Sequence, residues 1–400
     1  MSERHDVVVI GGGLLGCTLA WMLARDGVSV LLAERDQLNA HASGQNAGSL
    51  HFQLEYRMIA DGLEAARTAA EAMPLHLAAA ELWSHLSAEL GEDLGVAQHG
   101  GLMLAENAEQ ARLLETKAEI ERSWGLDVTL LDAAEVREMA PYLSEEVVAA
   151  SFCPIEGKAD TRIAAPAFAR GAARHGAQIH SRTEVVGLAR SGGRWSVELE
   201  EAHAGRRTVL ADAVVLAAGV WTEGVGDLLQ ARLPTIPMAL TMTATTAQPA
   251  RIPHLVQHAG RRLSLKQATS GNVLIGGGWP ARLLTDSRGR PDFTRRPELV
   301  GASVAGNLAA AVRAVPSLAG VSALRTWVGT TTVTPDQLPL VGPVPGSPGA
   351  YVATGGSAFT LGPSFARVIA DLVQHRRPAH DLSPYDPARF APAAPLERTR

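Results

Sequence analysis

Four hundred residues exceed one small module and, at about 150 residues per domain, allow two or three lobes. The chain is 46% hydrophobic and 19% charged with a net charge of −5, which supplies a large core and no basic field for nucleic acid or anionic lipid. Its two cysteines, Cys17 and Cys153, are too few for a disulfide scaffold, an iron–sulfur cluster or a Cys-based zinc site, and no His/Asp/Glu run has metal-ligand spacing.

The chain runs directly into a β-branched segment at residues 6–10 (DVVVI), which leaves no room for a signal peptide and predicts a buried strand. Residues 14–25 carry Leu15, Leu19, Met22 and Leu23 at helical period with Gly27 as a stop, and residues 28–34 (VSVLLAE) read as a second strand. The pattern from 61 to 90 predicts one or two helices broken near Pro74. Residues 100–105 read as a strand, 108–124 and 132–139 as helices, and 161–175 as another helix. Strands follow at 178–180 and 184–189, then a hairpin of 194–200 with 207–210, and a buried strand at 212–217. Residues 233–280 alternate as antiparallel sheet, 297–315 and 363–374 are helical, and 351–353 is a buried strand. The proline-containing stretch from 378 to 400 reads as extended or mobile. No apolar run reaches the roughly 20 residues of a membrane span, so a cytoplasmic globular protein is expected.

Gly11-x-Gly13-x-x-Gly16 lies between the first strand and the first helix. Gly11 allows the tight turn, Gly13 lets backbone approach a pyrophosphate, and Gly16 lets helix and strand pack closely. The helix N-terminus offers N–H groups to phosphate, and Glu34 ends the next strand where an acid accepts hydrogen bonds from a ribose diol. A second loose match, Gly276-x-Gly278-x-x-Ala281, runs into Pro280 and an Arg/Gly/Pro-rich stretch, so it reads as a turn.

The run Gly11, Gly12, Gly13, Gly16, Ala20, Leu23, Gly27, Val30, Glu34 and Arg35 resembles the FAD-binding N-terminus of the D-amino-acid oxidase, glycine oxidase and sarcosine oxidase group. Ala42-Ser43-Gly44-Gln45-Asn46-Ala47-Gly48 is similar to that family's small-residue loop under the flavin. Residues 212–219, Arg325-x-Trp327-x-Gly329, Thr334-Pro335-Asp336, Gly355-Gly356 and Thr360-Leu361-Gly362-Pro363 resemble its later motifs in the same order. The resemblance implies a two-domain α/β flavoprotein: a doubly wound FAD domain (1–50, 151–228, 321–385) interleaved with a mostly antiparallel β substrate domain (51–150, 229–320), and a mobile tail at 386–400. It implies non-covalent FAD contacts from Gly11, Gly13, Leu14, Leu15, Gly16, Glu34 and Arg35, and from Ala42, Ser43, Gly44, Asn46, Ala47, Gly48, Ser49 and Leu50. Further contacts are implied from Val185, Ala218, Gly219, Trp221, Gly329 and Asp336, and from the closing loop through Gly355, Gly356, Phe359, Thr360 and Leu361.

Within the family, residues 43–51 with Leu265-Lys266-Gln267 and Gly276-Gly277-Gly278-Trp279 look most like the flavin-bearing β subunits of bacterial opine and D-hydroxyproline dehydrogenases. The implied reaction is oxidation of the C–N bond of a secondary amino acid (hydroxyproline, proline, sarcosine or an opine), with hydride passing to flavin N5. The implied partners are iron–sulfur or flavin-containing subunits, some with FMN at the boundary. Two alternatives stay open: a free-standing oxidase producing hydrogen peroxide, and an NAD-dependent dehydrogenase. A non-catalytic flavoprotein subunit is a third.

The family places an arginine two residues after the Trp-x-Gly glycine, where it grips the substrate carboxylate. Here that residue is Thr331, which cannot pair bidentately. Lys266, one of only three lysines with Lys117 and Lys158, is then the candidate cation, or stands near N5. His51 is placed to orient substrate or assist its deprotonation, or else is a structural imidazole. Gln267, Arg325 and Thr331 complete the candidate substrate residues. The Arg-rich segment 282–296 and the proline-rich tail are candidate docking surfaces.

Overall fold

A computed structural model describes residues 3–202 and 204–391. Strand Glu3–Ile10 turns Val7 and Val9 into one apolar core and Val8 and Ile10 into another. Both faces are covered, so the run reads as continuously apolar. It is flanked in parallel by Val30–Ala33 and Gly205–Leu216, and the sheet extends through Gln178–His180 on one side and Ala350–Thr354 on the other. Leu340–Pro343 closes the edge antiparallel. Helices Leu14–Arg25, Ala164–Arg174 and Gly362–Val373 cover one face. Part of the opposite face is covered by the strands Thr183–Ser191 and Arg194–Glu201.

The expected hairpin strand 207–210 and buried strand 212–217 are one strand, Gly205–Leu216, and this corrects the reading. One edge of it pairs with Glu3–Ile10. The other edge pairs with Arg194–Glu201 over 205–211 and with Ala350–Thr354 over 214–216. Asp212 sits at that fork, bridged to Arg4 at 3.1 Å and Arg194 at 2.8 Å.

A second eight-stranded sheet runs Ala323–Val333, Ile236–Ala247, Asn272–Gly276, Ser264–Gln267, Leu255–His258, Gly101–Ala105, Ala149–Cys153, Thr129–Asp132. It is antiparallel except where Leu255–His258 meets Gly101–Ala105. Strand Ala323–Val333 corrects the boundary at 321, because its register with Ile236–Ala247 puts it in this sheet and not in the nucleotide sheet. Between the sheets lies a two-residue ladder, Ser49–Leu50 against Gly157–Lys158.

Helices Leu63–Ala70 and Met73–Leu90 meet just before Pro74, which occupies a first-turn position where its missing N–H costs nothing. After Gly276 the chain turns through Gly277 and Gly278 at φ of 112° and 84°, and no helix follows directly. Through residue 391 the tail packs against the body of the protein. Tyr385 is buried and donates to the Glu71 carbonyl, while Arg389 pairs with Asp336 at 2.7 Å. The rest of the stretch expected to be mobile, 392–400, lies outside the described residues. Among the described residues no helix is long and apolar enough to cross a membrane.

Candidate functional site

The glycine turn is tight in the way the motif requires. Gly11 has φ 117°, and a Cβ there would lie 2.4 Å from the Ala217 carbonyl oxygen. A Cβ on Gly16 would lie 1.9 Å from the Gly11 carbonyl oxygen, so helix and strand could not approach as they do. Gly13 caps the helix without a side chain, and the Ser43 hydroxyl accepts the Leu14 N–H at 2.9 Å. The other first-turn N–H groups have no intrahelical partner, as at any helix start.

A cavity of about 420 Å³ opens at the C-terminal ends of the central strands. Of the sequence-derived residues it gathers Gly11, Gly13, Glu34, Arg35, Ala42, Ser43, Val185, Ala218, Gly219 and Trp221. Glu34 is buried and accepts from the Gly12 and Asp36 N–H groups at 2.7 Å each. Each of its oxygens keeps a lone pair for a ribose hydroxyl. Asn39 also lines the cavity and has a buried Oδ1 without a hydrogen-bond partner. Sequence reading missed Asn39, whose signal is a left-handed backbone at φ 63°, and His41. Trp221 is flanked by the Arg35 guanidinium at 5.2 Å, the His41 ring at 4.7 Å and the Phe293 ring at 5.6 Å. A glycine cradle, a diol acceptor and an orphaned amide oxygen together fit an adenine dinucleotide.

A second group of candidates meets between the sheets. The Asn46 amide accepts from Gly48 N–H at 2.6 Å and donates to the Ala42 and Ser43 carbonyls, which shapes the 42–48 loop. Gly48 has φ 74°, and a Cβ there would fall 2.2 Å from the Ala159 carbonyl and 2.9 Å from Lys266 Nζ. A Cβ on Gly44 would strike the Asn39 carbonyl at 2.1 Å. Trp327 donates its indole N–H to the Gln45 carbonyl at 2.7 Å, and Gly329 lies against the same residue. Ser49 Oγ and His51 Nε2 both reach Ser264 Oγ, at 3.3 and 3.0 Å. The Thr360 hydroxyl accepts the His51 N–H and donates to the Ser49 carbonyl. His51 is buried, and its Nδ1 has no partner.

Lys266 is 3% exposed and shares its strand face with Ser264. Burial above all, then the Lys158 charge, drives its ammonium well below the usual range, against the pull of Asp160. Arg325 is exposed at the outer end of its strand, its guanidinium 5.8 Å from the Trp327 ring, and Thr331 is half-buried further along. Gln267 is corrected. It points away from Lys266, accepts from the Arg251 and Ile252 N–H groups, and donates to the carbonyls of Gln248, Pro249 and Gly271. Its amide is spent on holding that loop.

Asp336 is corrected too. Burial opposes its charge, but Arg389 and the Thr334 hydroxyl outweigh it and keep the carboxyl below its ordinary range. The group anchors the C-terminal segment. The side chains of Leu14, Leu15, Leu50 and Leu361 are buried in the core, as is Ala47, so only their main chains are available to a ligand. Phe359 stacks on Trp83 at 5.7 Å, and Gly355 at φ 137° lets its loop cross Pro339.

Sequence reading also missed Arg57, whose guanidinium lies against Gly356 and donates to Gln337, Glu55 and Ser357. Burial favours the neutral form of Glu55, yet Arg57, His51 and the Ser357 hydroxyl hold its carboxyl at about 2. No spacing rule finds this group, because its members come from residues 55–57 and 337–357.

Comparison with known proteins agrees with this arrangement. A family model described as FAD dependent oxidoreductase (DAO) matches residues 6–372. Glycine oxidase of Geobacillus kaustophilus (strain HTA426) is 28% identical, covering 97% of this chain and 98% of that protein. An opine oxidase subunit of Rhizobium meliloti is 26% identical, over 96% of this chain and 97% of that one. Human mitochondrial dimethylglycine dehydrogenase is 27% identical, and this chain spans only 45% of it. The crystal structure of glycine oxidase from Geobacillus kaustophilus superposes with a TM-score of 0.84 at 26% identity, over 98% and 100% of the two chains. L-proline dehydrogenase from P. horikoshii gives 0.79 at 25% identity, over 98% of each. The match along nearly the whole chain, on a nucleotide cradle of the right chemistry, replaces the NAD alternative: this chain belongs to the DAO family of FAD-dependent oxidoreductases.

Proposed function

We propose that this chain oxidises the C–N bond of a secondary amino acid of the hydroxyproline, proline, sarcosine or opine type, as the flavin-bearing catalytic subunit of a multi-subunit dehydrogenase. The observation that carries the reading is the enclosed polar group of His51, Ser264 and Lys266 against the 42–48 loop, at the junction of the two sheets. The near-complete coverage of the Rhizobium opine oxidase polypeptide supports the subunit role, with iron–sulfur or flavin partners and FMN at the boundary belonging to that reading.

Gly11, Gly13, Ser43, Asn39 and Glu34 would hold the dinucleotide half of FAD, and the loops 42–48 and 355–361 its ring. FAD supplies the two-electron acceptor for the hydride leaving the substrate α-carbon. The substrate nitrogen must be unprotonated before that hydride can leave. His51, fixed through Nε2 by Ser264, has its unpartnered Nδ1 as a site for the proton. Lys266 supplies the carboxylate contact that Thr331 lacks. Burial draws the pKa of its amine well down, and a carboxylate arriving there favours the protonated form.

An anaerobic bleaching screen tests the reading, using glycine, sarcosine, D- and L-proline, hydroxyprolines and opines against the FAD-loaded protein. Loss of the flavin bands with a secondary amino acid and slow return in air is the expected result. No bleaching by any amine points to a non-catalytic flavoprotein. The second reading, a free-standing oxidase, is favoured by the full-length likeness to glycine oxidase. Rapid reoxidation in air with stoichiometric peroxide would establish it in place of the dehydrogenase.

A further inference from the structure

Three consecutive backbone N–H groups beyond the 42–48 loop donate to carboxylates rather than to carbonyls. Glu156 accepts from Phe52 at 2.8 Å and Gln53 at 2.9 Å, and Glu121 accepts from Leu54 at 2.7 Å. Both glutamates are fully buried. Lys117 Nζ lies 2.7 Å from Glu121 and 2.9 Å from the Gln53 side-chain oxygen, which also accepts from the Ser151 hydroxyl at 2.7 Å. The Gln53 amide nitrogen returns to Glu156 at 3.0 Å. Thr360 takes the His51 N–H, and the preceding residues 49–50 are laddered to 157–158, next to Glu156 itself. The segment 49–54 is thereby held at every residue.

Such an arrangement is costly. Two carboxylates and one ammonium are withdrawn from water, and apolar residues of like volume would pack the same space without that cost. A sheet edge could have satisfied the same N–H groups with neutral carbonyls. Carboxylates instead make short, directional, charge-assisted bonds, which fix a backbone more tightly.

We propose that the Lys117–Glu121–Glu156 cluster is a positioning clamp for His51, holding residues 52–54 so that the imidazole stays on Ser264 beside the flavin loop. Lys117 is a positioning residue: it ties helix Ala108–Ser123 to Gln53 and holds Glu121, whose carboxyl oxygen takes the Leu54 N–H. The inference deepens the proposed role of His51 and rests on that reading for its catalytic consequence, though not for the clamp itself.

The test uses FAD-loaded protein and two readouts. In the unsubstituted protein, amide hydrogen exchange at residues 52–54 is expected to be as slow as in the central strand Glu3–Ile10. Fast exchange there overturns the clamp without any variant being made. Two double variants then separate clamping from charge burial. Lys117→Met/Glu121→Gln keeps an acceptor oxygen for Leu54, whereas Lys117→Met/Glu121→Leu removes it while keeping the volume. The Leu variant is expected to exchange at least tenfold faster over residues 49–57, and the Gln variant to be rescued to within about threefold. With whichever amine reduces the parent flavin, the limiting reduction rate should fall at least tenfold in the Leu variant with the substrate Kd changed less than threefold. Equal exchange and equal rates in the two variants overturn the proposal. Failure of every amine to reduce the parent overturns the function instead, and leaves the exchange result to decide the clamp.

Discussion

Glu34→Ala isolates the contribution of the diol acceptor to FAD binding. The carboxylate is 7% exposed and already accepts two N–H groups at 2.7 Å, so it is rigidly aimed before any ligand arrives. Little ordering entropy is then spent on binding. A charge-assisted hydrogen bond contributes about 1.5–3 kcal/mol, so losing the ribose contact should raise the FAD Kd about ten- to two-hundredfold. The same change strands the Gly12 and Asp36 N–H groups and destabilises the ligand-free protein by about 1–3 kcal/mol. Titration of stripped protein with FAD by flavin fluorescence, alongside urea unfolding without FAD, separates the two effects. Glu34→Gln keeps one acceptor oxygen and should fall between parent and Ala in both. A Kd within threefold of the parent in Glu34→Ala would show that the acid does not meet the ribose.

Gly13→Val puts a Cβ 2.9 Å from Ser43 Oγ, at the start of the helix. The variant should purify without FAD, and a yellow protein at full occupancy would sink the nucleotide assignment. Lys266→Met removes a buried amine, so the thermal midpoint should hold or rise while the substrate constant climbs about ten- to hundredfold through loss of a charge-assisted bond. An unchanged constant in steady-state kinetics would exclude Lys266 as the carboxylate contact. Burial holds His76 and His258 neutral down to about pH 4, outweighing the attraction of Glu55 and Glu106. The unfolded chain takes up these protons near 6.5, so their contribution is intact above that pH and falls as the pH drops to 4. The loss reaches about 3 kcal/mol for each at 1.36 kcal/mol per pH unit. Urea unfolding at pH 7, 5.5 and 4 should show His76→Gln with a shallower decline than the parent, and parallel declines would refute the assignment.

The N-terminal βαβ unit was legible because its signals are local: an apolar run, glycines at fixed offsets, a helical period and an acid at the next strand end. Helix Leu14–Arg25 and the residues around the cavity follow from these. Strand Ala323–Val333 was not legible in its role, since its partner Ile236–Ala247 lies far upstream and no local signal pairs the two. The packed tail depends on Glu71 and Asp336, neither of which is near it in sequence. Lys117 looks like one more charge on a polar helix, paired four residues on with Glu121, and Gln53 and Ser151, which complete its burial, arrive from other elements. Gln267 misled for the opposite reason: it neighbours Lys266 in sequence but faces the other side of the strand.

The fork in strand Gly205–Leu216 has a consequence for how the protein is made. The first strand finds one neighbour, Val30–Ala33, almost at once, but its other neighbour begins at residue 205. At about 5–20 residues per second of synthesis, roughly 10–40 s pass before that neighbour leaves the ribosome. The Ala350–Thr354 strand that shares the fork follows still later. During that interval the Val7–Ile10 edge is an unpaired apolar template, open to pairing with another nascent chain. The cavity also draws on residues 183–228, so cofactor capture cannot precede their emergence. Supplying FAD during translation should therefore raise the soluble yield only for chains extended past the fork, with a threshold in length rather than a gradual rise.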